Sequence, residues 1–366
     1  MTDRWRFFAA DLMSGVVREE IPLQQVTVTD RLKAPSTMQA SIPFRHPKAI
    51  RQNLNTETTM LIATRDDVVQ FAGPLLDIQL SENADLLSLQ CEDLWNFVRR
   101  RRLRSRQGMT YATGSNSTMI QFTGVDQFRI VEDLVAHMQS ISGGNLGITV
   151  AYDALSGVTR DRTYHVGDRK KIGEAIEELS NVQNGFDWAL EVGGTVDNLT
   201  HTLRLHHPMR GRQTGYVLSW DGGTTMLGMT VHESSRNRAQ AFFAVGAGEG
   251  TRQITASVQD PNLLGVLPLV EASGSWVDVS VQATLDAHAA RELQLNKRAS
   301  IIPSFTLNPA AEPRWGTYIT GDTVRVVVDD GWVQIDGFCR IIGRSITVDE
   351  DGQETSKVEL AELGRF

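Results

Sequence analysis

The sequence predicts a mainly β protein with α+β inserts, in which antiparallel β regions at both chain ends flank two smaller α+β segments. Three observations carry this. Residues 4–91 hold short β-like runs separated by turn residues every 8–12 positions, the pattern of an antiparallel sandwich or barrel. The stretch from Gly321 to Leu363 is built the same way. Between them the apolar spacing switches from period two to helical spacing near residues 126–141, after Asp168 and near 283–298. At 366 residues the chain exceeds one ordinary core, and the expected domains are 1–104, 105–225, 226–305 and 306–366.

In chain order, Trp5–Asp11 forms a first strand and Met13-Ser14-Gly15 a turn. Val16–Ile21 and Gln24–Thr29 follow, with Pro22 at the break, and Pro43 marks an edge or an end of the strand Met38–Pro43. Thr59–Thr64 and Val68–Gly73 flank Arg65-Asp66-Asp67, a hairpin signal, and Leu75–Leu80 and Leu86–Cys91 complete the region. In the middle, Val131, Leu134, Val135 and Met138 mark an amphipathic helix that Gly143-Gly144 stops. Asp168 is the expected N-cap of a second helix striped by Ile172, Ile176, Leu179 and Val182 and ended by Gly185. Phe186, Trp188, Leu190 and Val192 then alternate as a strand.

The third segment opens with strands at Met226–His232 and Ala239–Gly246, a turn at Gly246–Gly250, and a run at Arg252–Val258. Its helix carries Leu285, Ala289, Ala290 and Leu293, with Thr284 or Ser280 as the expected cap. At the carboxyl end, Asp329-Asp330-Gly331 and Asp349–Gly352 read as turns, and Lys357–Leu363 alternates like a half-buried strand.

Hydrophobic content of 41% and charged content of 22% are those of a folded soluble protein. The net charge is −8, from 44 acidic against 36 basic residues, the wrong sign for a protein that grips the phosphate backbone. Cys91 and Cys339 lie far apart in strand-like apolar runs and read as buried thiols. No signal peptide or membrane-length apolar run is visible, so folding in a reducing cytoplasm is expected.

A search for chemistry finds no enzyme, cofactor or metal signature. The glycines at 246–250 have strand-like flanks and no following Gly-Lys-Ser/Thr, so a hairpin turn is expected in place of a phosphate cradle. His206 and His207 are adjacent on a strand and point to opposite faces, so they and His201 do not read as one metal site. No Gly-x-Ser-x-Gly elbow is present, and Glu19-Glu20, Asp66-Asp67 and Asp329-Asp330 sit in or beside turns. One run stands out: Arg99, Arg100, Arg101, Arg102, Arg104 and Arg106, six arginines in eight residues. Guanidinium groups pair bidentately with carboxylates and phosphates, so the run reads as a docking surface for an acidic partner or a contact with passing DNA, the negative net charge favouring the former, or else as a solvated or internally paired turn between domains.

Several stretches carry a family resemblance: Leu12–Leu23 with Val26–Asp30 and Met38–Pro43; Cys91–Arg102, a strand followed by a short arginine-ended helix; Asn237–Gly250; the 283–298 helix; and Gly321–Val324 with the final hairpins. In their order they resemble the central hub proteins of long-tailed phage tails, also called tail-associated or baseplate hub proteins, or minor tail proteins. The resemblance implies two tail-tube-like antiparallel β-barrel domains at the chain ends flanking two smaller α+β domains. It further implies a homotrimer that adapts a sixfold tail tube to threefold tip structures at the distal end of the virion's tail. A distal tail ring protein, the tape measure protein and tip or fibre proteins would be partners, with DNA only in transit and assembly in the host cytoplasm. The acidic charge suits a channel through which DNA must slide. The chain ends at Phe366, just past the last expected strand, so a lytic or receptor-binding extension is not expected. The two competing readings are a carbohydrate-binding tail-tip module, which needs exposed aromatics where the seven tryptophans fall at apparent core positions, and a peptidoglycan hydrolase.

Overall fold

The computed structural model describes residues 4–81, 85–220, 224–263, 265–277 and 279–362. Leu363 and Phe366, both named above, lie outside them. The chain opens with β1 (Trp5–Asp11), β2 (Val17–Glu20), β3 (Gln24–Arg31), β4 (Thr37–Pro43) and β5 (Thr59–Arg65). The Asp11 carboxylate holds the first turn by accepting from the Met13 and Ser14 amides. Asp66 and Asp67 both adopt positive φ, 50° and 62°, the conformation that a two-residue hairpin turn demands. The next element, β6 (Val68–Ser81), is one strand of 14 residues where the sequence suggested two. It survives Gly73-Pro74 because it changes partners there: its first half pairs with β5 and its second with β7 (Leu86–Glu92). A Cβ at Gly73 would lie 2.1 Å from the Glu92 carbonyl oxygen, so only glycine lets the strands approach this closely.

The middle of the chain contains α1 (Trp95–Arg100), β8 (Met119–Asp126), α2 (Gln127–Ser140), β9 (Ile148–Ala151), β10 (Thr159–His165), α3 (Ile172–Ser180), β11 (Asp187–Thr195) and β12 (Asn198–His206). Asp126 caps α2 by accepting from the Phe128 amide. The expected cap of α3 is corrected: Asp168 sits in a 3-10 turn, and Lys171 holds the N-cap position without a side-chain bond. The helix start is fixed from outside instead, because the Ile172 amide donates to the Arg101 carbonyl oxygen. It ends at Ser180, so Val182 packs beyond it and Gly185 is not its terminator. These elements enclose a second core, with Trp95 stacked on Trp188 at 4.1 Å between ring centroids.

Then come β13 (Gln213–Ser219), β14 (Met226–Ser234), β15 (Ala241–Val245), β16 (Thr255–Gln259), β17 (Glu271–Ser275) and α4 (Gln282–Asn296). The glycine cluster joins the antiparallel pair β15 and β16, as expected of a hairpin. Leu285, Ala289 and Leu293 of α4 pack on Phe242, Ala244 and Ala256 in a third core. Neither Ser280 nor Thr284 caps this helix; Val281 holds the N-cap position without a side-chain bond. The chain closes with β18 (Ser300–Leu307), β19 (Thr323–Asp330), β20 (Val333–Val348) and β21 (Glu354–Glu362).

Both ends of the chain belong to one 13-stranded sheet, in the order β14-β18-β21-β20-β3-β4-β7-β6-β5-β1-β2, with β13 and β19 branching from β20. The join is β20, 16 residues long. Its first half pairs with β19, and its second half, Gly343–Val348, pairs antiparallel with Arg31–Val26 of β3, while β21 runs along its other edge. The protein is therefore mainly β and largely antiparallel, as expected. The pairings among the described residues leave the sheet open, because its terminal strands β14 and β2 do not meet. One core spans the join, with Phe7, Met38, Ile42 and Phe71 from the amino end beside Phe305, Val324, Ile341, Ile346 and Leu360 from the carboxyl end.

Because Ile346 is buried opposite Val28 across this join, Ile346→Ala is expected to lower the unfolding free energy by about 2–5 kcal/mol in denaturant titrations. Amide exchange should show β3 and β19–β21 becoming labile together; independent opening of the two ends would contradict a shared core.

Candidate docking surface and the buried joint beside it

The arginine run leaves β7 through α1 and circles the second core. Trp95 Nε1 and Arg99 Nε both donate to Glu177 Oε1, each at 2.8 Å, fastening α1 to α3. The helices meet at Gly173, where a Cβ would lie 2.8 Å from Arg99 Cα. Arg101 donates to the Gly143 carbonyl oxygen at 3.3 Å, Arg102 to that of Arg169 at 3.2 Å, and Arg106 to that of Ala112 at 2.8 Å. Arg100 and Arg104 are exposed, and among the described residues their guanidinium groups have no hydrogen-bond or ion-pair partner. The run thus divides into four side chains that bond to their own chain and two that are unengaged.

Next to this region lies a buried polar joint that no local sequence signal announces. Asp187, at the start of β11, is 4% exposed, and Arg340 of β20 is 2% exposed. Arg340 Nη2 donates to Asp187 Oδ2 and to the Arg210 carbonyl oxygen, the latter at 2.9 Å, while its Nε reaches the Gly321 carbonyl oxygen at 3.2 Å. The Arg210 amide donates to Asp187 at 2.8 Å, and its guanidinium binds Thr320 and Glu191. Burial alone would raise the Glu191 carboxyl, but Arg210 and Arg204 outweigh it and hold it below its ordinary value. A second cation, Arg344, pairs with Asp30 at 3.0 Å and lies 4.7 Å over the Trp315 ring.

Asp93 is buried at the end of β7 and accepts from the Ser36 and Trp95 amides at 2.7 and 2.8 Å. Burial nevertheless pushes its carboxyl up to about 7. Cys91 and Cys339 are buried thiols that form no disulfide, and burial pushes the Cys91 thiol up. His207 Nδ1 lies 2.9 Å from the Gly185 carbonyl oxygen. Among the described residues no three His, Cys, Asp or Glu side chains come together as a metal site.

Six tryptophans are buried or half-buried, but Trp332 is 74% exposed at the tip of the β19–β20 hairpin, against its reading as a core position. It borders a groove of about 420 Å3 lined also by Val231, Ile301, Pro303, Ile335 and Phe338. A turn places a side chain in solvent regardless of its hydropathy.

No family model matches this sequence, and no curated protein matches it. Solved structures do share its fold along the whole chain. A tail protein from Neisseria meningitidis superposes with a TM-score of 0.61 at 14% identity, covering 99% of this chain and 98% of that one. The 43 kDa tail protein of prophage MuSo2 from Shewanella oneidensis gives 0.63 at 14% identity, with 97% of each chain covered. The prophage tail protein gp18 from Listeria monocytogenes gives 0.53 at 10% identity, covering 98% and 94%. The chain has the fold of phage tail proteins, in agreement with the resemblance read from its sequence.

Asp187→Asn leaves Arg340 buried without its counter-charge and is expected to cost about 3–5 kcal/mol in equilibrium unfolding, whereas Asp187→Leu with Arg340→Met should recover much of that loss. Asp93 supplies a pH test. Its folded value of about 7 lies above the ordinary 3.8, so the stability it contributes is full below about 4, falls as pH rises through the window up to about 7, and is flat above. Subtracting the Asp93→Asn unfolding profile from that of the wild type should isolate this decline; a flat difference would contradict the burial of the ionising group.

Proposed function

We propose that the chain is a structural protein of a bacteriophage tail, forming a homotrimeric hub at the distal end that adapts the sixfold tube to threefold tip structures and lines or closes the DNA channel. The observation that carries this reading is the end-to-end likeness to phage tail proteins, over nearly the whole of both chains in each comparison. The hub position and the trimer rest on the sequence resemblance. Two features support them. The sheet ends in β14 and β2, strands paired on one side only, and such edges are available to neighbouring copies. The net charge of −8 suits a conduit that must not hold DNA by its phosphates.

In this reading the exposed guanidiniums of Arg100 and Arg104 meet carboxylates of a neighbouring component, among them the distal tail ring, the tape measure or the tip proteins. Arg99, Arg101, Arg102 and Arg106 keep that ridge in place through their bonds within the chain. Assembly takes place in the host cytoplasm, the finished protein resides in the virion, and no catalysis is involved.

Incorporation of the Arg100→Glu, Arg104→Glu variant into tails should fall by about tenfold or more, the equivalent of about 1.4 kcal/mol, with folding of the isolated protein unchanged. Unaltered incorporation would remove the docking role. Purified protein should also be inert on peptidoglycan, and clear lysis would overturn the structural assignment.

A further inference from the structure

Helix α4 has two faces. Leu285, Ala289 and Leu293 cover the three-stranded sheet. Thr284, His288 and Arg291, at spacings of four and three residues, form a polar stripe turned toward the middle body. Arg162 of β10 reaches this stripe, its Nη1 lying 3.4 Å from Thr284 Oγ1. Arg160, two residues earlier on the same strand, donates to the carbonyl oxygens of Gln183 and Asn184 at 2.7 and 3.0 Å. Those two residues, with Lys33 and Arg291, line a cleft of about 550 Å3 between α4 and the middle body.

The joint sets cation against cation. Arg162 is 6% exposed and His288 2%, and Arg162 Nη2, Arg160 Nε and His288 Nε2 are all buried with no hydrogen-bond partner among the described residues. Among the described residues no carboxylate is hydrogen-bonded to any of the three side chains, although Arg162 Nη1 donates to the Asp161 carbonyl oxygen at 2.9 Å. Lys170, whose charge also acts on His288, is paired with Glu178 at 2.7 Å, and Asp187 is engaged with Arg340. Burial and the neighbouring arginines together push His288 down to about 3, and burial with Arg162 pushes Arg160 down to about 10. Buried positive charge without a counter-charge is strongly unfavourable, and three unpartnered polar atoms add to the penalty.

We propose that this joint binds a small oxyanion of the inorganic phosphate class, held by Arg160, Arg162 and His288. Phosphate is acceptor-only at its ionised oxygens and suits two guanidinium donors and an imidazole carrying its proton on Nε2. Trp276, stacked on His288 at 4.7 Å, fixes the ring plane. The adjoining cleft carries two cations, Lys33 and Arg291, against one carboxylate, Asp187, which is already engaged with Arg340. The bound anion fastens α4, and the third core behind it, to the middle body.

The test is to titrate inorganic phosphate into the full chain at constant ionic strength, with chloride as the balancing ion, reading both melting temperature and the His288 titration midpoint by NMR. The expected result is a saturable rise in melting temperature and an upward move of the His288 midpoint by about one pH unit, both abolished in Arg162→Gln and partly kept in Arg162→Lys. Should Arg162→Gln not fold, His288→Gln serves in its place, with phosphate affinity expected to fall about tenfold. A response that does not saturate, is matched by chloride, or persists in the variants would overturn the proposal.

Discussion

The antiparallel pairing of β20 with β3 is the constraint on which the rest of the molecule depends. It brings Gly343–Val348 against Val26–Arg31, residues more than 300 positions apart, and turns two sequence-separated β regions into one sheet over one core. A buried aliphatic or aromatic side chain contributes roughly 1.5–3 kcal/mol relative to exposure, and this core gathers dozens of them from both ends. The long-range closure is entropically costly, but loop-closure entropy grows only logarithmically with length, so burial on this scale outweighs it.

The second and third bodies are attached differently. Where the middle body meets the sheet, the polar contacts include Asp187–Arg340, Arg210 with Thr320 and Glu191, and Lys33 with the Ser180 carbonyl oxygen, beside a small apolar cluster in which Val192, Val196 and Leu199 pack on Phe8, Met60 and Ile62. Buried ion pairs contribute little net stability because desolvation nearly cancels their attraction, yet they tolerate very little displacement. The apolar core thus supplies the stability and the polar joints set orientation. The α4 joint differs in that it gathers Arg160 and Arg162 beside His288 with an excess of positive charge.

Much of this was legible in the sequence because local rules and tertiary context agree. Asp66-Asp67 predicted a hairpin and adopts its positive-φ turn, and the Val131–Met138 spacing gave α2 to within a residue of its observed ends. Elsewhere they diverge. Val68–Gly73 and Leu75–Leu80 read as two separate runs, but they form one strand, β6, in which one partner strand gives way to another at Pro74. Asp168 has cap chemistry, yet the Arg101 carbonyl oxygen fixes where α3 starts. Trp332 has core chemistry but sits on a turn. Arg340 lies in an alternating strand, where nothing local reveals that its partner stands 153 residues away. The arginine run was visible as a cluster, but its division between Arg100 and Arg104 and the four engaged side chains is set by backbone carbonyls that composition cannot show.

The chain shares its fold end to end with phage tail proteins, and the proposed assembly role rests on that likeness together with its open sheet edges and acidic charge. The most direct test is single-particle imaging of intact tails. The proposed hub predicts a threefold ring of three 40.5 kDa chains at the distal end. Absence of the chain from that end, or a ring of different symmetry, would contradict it.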